Sequence, residues 1–177
     1  MKKFTRCLFK TTKVRPSRAL RASLRLLFLS SALISLTACG ARFKMWAADD
    51  FVVLDEHSGY DYRATTPEGL VIAVRDIDNE RSHGELPFWT KAIEDELRLD
   101  QGYALLDTKS ITTRQGHTGT QLRFGLDREG EAHIYIVSIF VTKKRVFLIE
   151  AGGTEAQMKR HHAQIEWSVN EFVIRRG

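Results

Sequence analysis

Six histidines, two cysteines and 22 acidic residues are the side chains in this 177-residue chain from which hydrolytic, metal or redox chemistry could be assembled. A helical zinc site needs its ligands on one face, three or four residues apart. His161 and His162 are adjacent, so on a helix they point about 100° apart and cannot share a ligand face. They read as boundary residues, His162 beside an apolar stripe and His161 on its other edge. His117 and His133 fall near strand ends, and His57 and His83 in loops. His57 has Asp61 four residues on, but across a Ser-Gly turn. A hydrolytic or metal site would need two or more of His57, His117 and His133 brought into one cleft. Asp76, Asp78 and Glu80 alternate like the start of a calcium loop, yet Arg81 stands where that loop needs Gly and Pro87 where it needs an acid. Residues 76–85 therefore read as a solvated loop. There is no nucleophile elbow, no His-Glu-x-x-His, no phosphate loop and no dinucleotide fingerprint. No catalytic residue, metal ligand or cofactor is assigned from the sequence, and the expectation is a non-enzyme.

Cys39 is different, because its surroundings supply a chemistry. Residues 1–38 carry nine basic residues and no acid, and positions 26–38 are uncharged and mainly apolar. Thirteen residues are too few for a permanent membrane span, which needs about 20, but they suit the apolar core of an export signal behind a positive flank. From position 39 onward the balance is 18 basic against 22 acidic residues. The overall net charge of +5 is thus a property of the leader, and a nucleic-acid-binding role lacks its basic footprint.

The leader closes on Leu36-Thr37-Ala38-Cys39-Gly40. This resembles the bacterial lipobox, in which a diacylglycerol is attached to the cysteine sulfur and the signal is cut just before it. The chemistry needs a thiol nucleophile, here Cys39, and small residues in the peptidase groove, here Thr37 and Ala38 behind Leu36. Ordinary secretory cleavage prefers Ala-x-Ala, and Leu36 occupies the place of the first Ala. The other cysteine, Cys7, lies inside the leader, so lipidation leaves no pair for a disulfide. The resemblance implies export and a stable lipid anchor. With Gly40 rather than Asp after the cysteine, it implies the outer membrane, facing the periplasm.

Residues 39–50 read as the lipidated cysteine and a short tether. Trp46 then sits either at the bilayer interface, where an indole is at home, or back on the domain. Residues 51–177 read as one domain. Phe51–Leu54, Tyr60–Thr65 and Leu70–Val74 have strand character, with Thr66-Pro67-Glu68-Gly69 as a turn. Leu86–Leu99 reads as a helix, with Pro87 in its first turn and Trp89, Ile93 and Leu97 on its core side. Residues 103–114, 118–126, 133–142 and 145–151 follow as strands joined by short hairpin connections. Ile134–Val141 is apolar on both faces, as a central strand should be. Thr154-Glu155-Ala156-Gln157 is a capping box opening a helix to about Ile174, with Met158, His162, Ile165, Val169 and Phe172 on one stripe. Trp167 falls opposite that stripe, as a partner contact or, the simpler reading, under a loop or the tether. The expected fold is α+β, an antiparallel sheet of about six strands with two helices packed on opposite faces.

Residues 51–174 resemble the PsbP/DcrB-like fold. The likeness lies in the element order, in Tyr135-Ile136-Val137-Ser138-Ile139-Phe140-Val141, in Arg145–Ala151 followed by Gly-Gly, and in the closing Ser168-Val169-Asn170-Glu171-Phe172. Proteins of this kind include bacterial envelope lipoproteins, photosystem II extrinsic subunits and a nuclear-transport regulator, and most are binding or assembly factors. The resemblance implies a lipid-anchored, non-enzymatic envelope module with an envelope protein as partner and the membrane reached through its lipid. The alternatives are a small-molecule or lipid carrier with a cavity between sheet and helix, and a hydrolase whose site is scattered in the sequence.

Overall fold

The computed structural model describes residues 41–55, 59–80 and 84–175. Cys39, with Leu36, Thr37 and Ala38 before it, lies outside the described residues, as do His57 and His83.

A strand can carry apolar side chains at odd and even positions alike only where both faces of its sheet are covered. That condition is met here. The strands are β1 (Phe43–Lys44), β2 (Val52–Val53), β3 (Tyr62–Thr65), β4 (Val71–Asp78), β5 (Ala104–Thr112), β6 (Thr118–Arg128), β7 (Glu131–Val141), β8 (Arg145–Thr154) and β9 (Val173–Ile174). Seven of them make one antiparallel sheet in the order β2-β3-β4-β8-β7-β6-β5, and β1 pairs separately with β9. The fold is α+β, as expected. The short run at Phe51–Leu54 does join the sheet, which therefore has seven strands rather than about six.

Alternation along β7 feeds two cores. Ile134, Ile136 and Phe140 enter the first, with Ala64, Ile72, Val74, Phe147 and Ile149. It is closed by α2 (Glu155–Arg160) and α3 (His162–Asn170), which contribute Met158, Ile165 and Val169, and by Phe172 after them. Val137 and Ile139 enter the second core, with Leu122, Phe124, Val146 and Leu148. Ile93 and Leu97 close it from α1 (Leu86–Asp95) and from one π-helical turn, Glu96–Asp100. Trp89 packs against this second core and donates from Nε1 to Oδ1 of the buried Asn79 at 3.2 Å. Gly119 is required against the first core, since a Cβ there would meet the Ile139 carbonyl oxygen at 2.4 Å and the Phe140 ring at 2.7 Å.

Three expectations are corrected. The terminal helix is broken at His161, whose φ of −101° and ψ of 17° stop the α2 hydrogen-bond ladder. At the break His161 is buried against the Phe51 ring and His162 is exposed. The capping box does open α2: Thr154 N–H donates to Gln157 Oε1 at 2.8 Å, and Gln157 N–H to Thr154 Oγ1 at 3.3 Å. Residues 76–78 are not loop but the end of β4, and the acidic alternation is strand alternation: Asp76 and Asp78 share a face and both meet Arg145. Finally, the chain from Phe43 is not a free tether. Phe43 stacks on Phe172 with 5.5 Å between ring centroids, and Met45, Ala48 and Phe51 are buried in the first core.

Candidate functional site

Among the described residues, the second face holds a strongly buried carboxylate, Glu150, whose neighbours could carry proton chemistry. Glu150 lies in the middle of β8, between Ala73 of β4 and Val137 of β7, and is 3% exposed. An ion in that position needs partners for both oxygens. Arg75 donates from Nε to Oε1 at 2.6 Å and ion-pairs through Nη2, while the Tyr135 hydroxyl donates to Oε2. The Arg75 guanidinium lies over the Tyr60 ring, 5.7 Å from its centroid. Burial, and then the charge of Glu150, push the Tyr135 phenol well above its ordinary value, and the Tyr60 phenol moves up for the same reasons in the same order. Tyr135 is thereby held as a donor and not as a base. A small hollow of about 210 Å³ lies beside the group, lined by Tyr60, Arg75, Tyr135, Glu96 and Gln101, the last two from the π-helical turn and the residue after it. With both Glu150 oxygens engaged, the arrangement suits a clamp across three central strands better than acid–base catalysis.

The four described histidines do not converge on one site. His161 is 4% exposed, with neither ring nitrogen in a hydrogen bond, and its Nε2 is 3.8 Å from Glu68 Oε2. His162 faces Glu166 one turn on, at 3.7 Å. His133 Nδ1 lies 3.0 Å from the Glu131 carbonyl oxygen, and His117 lines a cleft at the other end of the sheet. Among the described residues no group of three or more His, Cys, Asp or Glu side chains is placed to hold a metal.

Two adjoining hollows of about 500 and 410 Å³ run between α2–α3 and the outer strands on the first face. Lys109 and Gln121 line both, with Arg123 and His162 in one and Trp167 and Asn170 in the other. Trp167 is 43% exposed, so neither a loop nor the N-terminal segment covers it. Lys109 bridges the gap to Glu166 at 2.6 Å. The edge strand β5 beside it is mostly exposed and broken by a bulge between Leu105 and Asp107, a device that discourages uncontrolled strand pairing. Trp46 does not line these hollows. It is half-buried on the N-terminal segment, with the Lys44 ammonium 4.2 Å from its ring centroid.

Sequence reasoning favoured a covered Trp167, which the structure leaves exposed, and missed the Glu150 clamp. Its signal was a carboxylate inside the otherwise apolar run Val146–Ala151.

The strand order, the two covered faces and the terminal helix pair define an α+β fold of the PsbP kind. No protein-family model and no curated protein matches this chain. Among solved structures it is similar to LpqN, described as involved in cell envelope biogenesis of Mycobacterium tuberculosis, with a TM-score of 0.62 and 15% identity over 76% of this chain and 83% of that one. It is also similar to a protein of unknown function from Pseudomonas aeruginosa (TM-score 0.50, 17% identity, 72% and 83% covered). Cyanobacterial PsbP from Synechocystis matches with a TM-score of 0.50 at 11% identity, over 75% and 86% of the two chains. At these identities the likeness is one of fold.

Proposed function

We propose that this chain is a lipid-anchored, non-enzymatic protein of the bacterial cell envelope, held at the periplasmic face of the outer membrane, whose domain binds a protein partner in envelope assembly or maintenance. One observation carries the reading. The candidate acylation site Cys39 lies four residues before β1, so cutting there leaves every described strand and helix in the chain. The similarity of fold to an envelope-biogenesis protein supports it, as does a Glu150 cluster whose polar atoms are already engaged with one another. The exposed Trp167, in a groove with mixed charge along an edge strand, is the surface we assign to the partner. A carrier would need an apolar cavity between sheet and helix. At the centre of the first face that space is filled by the rings of Phe140, Phe147 and Phe172, and the two hollows at its outer edge carry Asp107, Lys109, Arg123 and Glu155 among their lining residues.

Globomycin treatment, with a Cys39→Ala variant alongside, tests the anchor. The expected result is accumulation of the full precursor and loss of the variant from the membrane fraction. Intact mass should show acylation of the wild-type protein at Cys39. A soluble protein cut at another site and indifferent to Cys39 would sink the reading.

A further inference from the structure

The two ends of the sheet differ in charge. At one end the β7–β8 turn, the start of β1 and the end of β9 meet around a cleft of about 1050 Å³. Arg42, Lys143, Lys144, Arg145 and Arg175 line it, with Asp78 as the carboxylate of its wall and Phe147 and Ile174 as its apolar floor. At the other end the β6–β7 turn carries Asp127, Glu129 and Glu131 against Arg128 alone. The 11 residues of β7 separate these turns by roughly 33 Å.

The cations of the cleft fall into two kinds. Arg145 is committed to the structure: its Nε donates to Asp76 Oδ1 at 2.5 Å, its Nη2 donates to the Asp76 carbonyl oxygen at 2.7 Å, and it pairs with Asp78. Arg42 shares Asp76 at 3.1 Å. Glu171 nearby is taken by Arg114 at 3.2 Å. Lys143 and Lys144, exposed at the turn, and Arg175 form no ion pair with a carboxylate among the described residues. Arg175 is fixed in place through its backbone, its N–H donating to the Arg42 carbonyl oxygen at 2.8 Å. The acids of this end are thus largely neutralised from within, while three cations face outward on backbone held by strand pairing.

Their position along the chain says what they face. Arg42 is three residues after Cys39, a span of at most about 11 Å. We propose that this cleft is the membrane-facing surface of the domain and binds the phosphate of an anionic phospholipid headgroup, so that the domain stands on the bilayer by its basic end with its acidic turn directed away. Basic residues this close to an anionic surface gain from its potential within a Debye length, whereas a flexible anchor alone would leave the domain's orientation free. The proposal rests on the lipid-anchored reading above, which supplies the membrane.

The test uses the acylated protein purified from membranes, its acylation checked by intact mass. It is reconstituted into phosphatidylcholine vesicles with or without phosphatidylglycerol. Gln115→Cys in the cleft and Glu129→Cys at the opposite turn each provide a single thiol for a fluorophore, and a headgroup-attached spin label serves as quencher. Quenching at position 115 is expected to rise severalfold with phosphatidylglycerol. It should collapse in about 0.5 M salt, where screening shortens to roughly 4 Å, and in a Lys143→Glu/Lys144→Glu variant. Position 129 is expected to stay unquenched throughout. Should the charge-reversed variant fold poorly, the salt series on the native sequence decides the same point. An acylated protein whose position 115 ignores phosphatidylglycerol would overturn the cleft while leaving the anchor intact. Inorganic phosphate reproducing the response on phosphatidylcholine vesicles would overturn it too, by making the cleft a site for free anions. A missing acyl mass would overturn the anchor reading instead. Cosedimentation of that chain with phosphatidylglycerol vesicles but not with phosphatidylcholine vesicles would then support the cleft alone, and cosedimentation with neither would overturn it.

Discussion

The two faces of the sheet are built from alternate residues of the same strands, yet they are closed by different means. The first face is apolar at its centre: Phe43, Phe140 and Phe147 surround Phe172, with ring centroids 5.5 to 6.0 Å from it. Two helices and the N-terminal segment cover it. The second face is covered by one ten-residue helix and a π-helical turn, and where that cover runs short the sheet carries Glu150, Arg75 and Tyr135. The difference teaches that a sheet can be closed by volume or by paired charge. The first route tolerates no gap at its aromatic centre, and the hollows of that face lie at its outer edge. The second admits a small polar hollow, but only if every buried polar atom in it finds a partner.

Breaking the apolar face should have the largest effect. Phe172→Ala removes a fully buried ring from the centre of the aromatic group, and a loss of about 3–5 kcal/mol is expected in denaturant unfolding. A loss below about 1 kcal/mol would mean that the face is not closed by volume. Next comes the polar face. Arg75→Met strands the Glu150 carboxylate with Tyr135 alone. Because the Arg75 side chain is 41% exposed, about 2 kcal/mol is expected, less than for a fully buried pair. Adding Glu150→Leu to Arg75→Met should recover much of that loss. Strict additivity of the two single changes in a double-mutant cycle would break the contrast between the faces. The smallest effect sharpens it. The Tyr135 phenol titrates above its unfolded value near 10. Its contribution is therefore fully present below pH 10 and is lost as pH rises beyond, because the unfolded chain releases the proton first. Unfolding followed from pH 8 to 11 should show stability falling at the alkaline end, and Tyr135→Phe should flatten that fall. An unchanged slope in the variant would assign the alkaline loss to other groups.

The first face was largely legible in the sequence and the second only in part. Alternation over Ile134–Val141, the hairpin connections and the Thr154–Gln157 box each announce themselves within a dozen residues, because local sterics and capping set them. The break at His161 does not. Met158 and Ile165 are seven residues apart, a spacing that an unbroken helix accommodates equally well, so only packing against Phe51 reveals which histidine turns inward. β1 and β9 are two residues each, too short for any period to show. The Glu150 clamp joins residues 75, 135 and 150 through strand register, and the basic cleft joins residues 42, 143–145 and 175. Neither constellation has a spacing that sequence could display. Cys39 is the opposite case, since the acylation proposed for it rests on four consecutive residues and owes nothing to the fold.

The antiparallel pairing of β1 with β9 brings the beginning and the end of the folded domain side by side. A reporter joined after residue 175 would therefore emerge next to residue 42, on the side of the proposed anchor. The same adjacency makes the domain suited to circular permutation. A short Gly/Ser linker could join residue 175 to residue 42, with new ends opened between Glu129 and Gly130, where both residues already hold positive φ. Every strand pair and both cores would be retained, while the free ends would move to the opposite pole of the sheet.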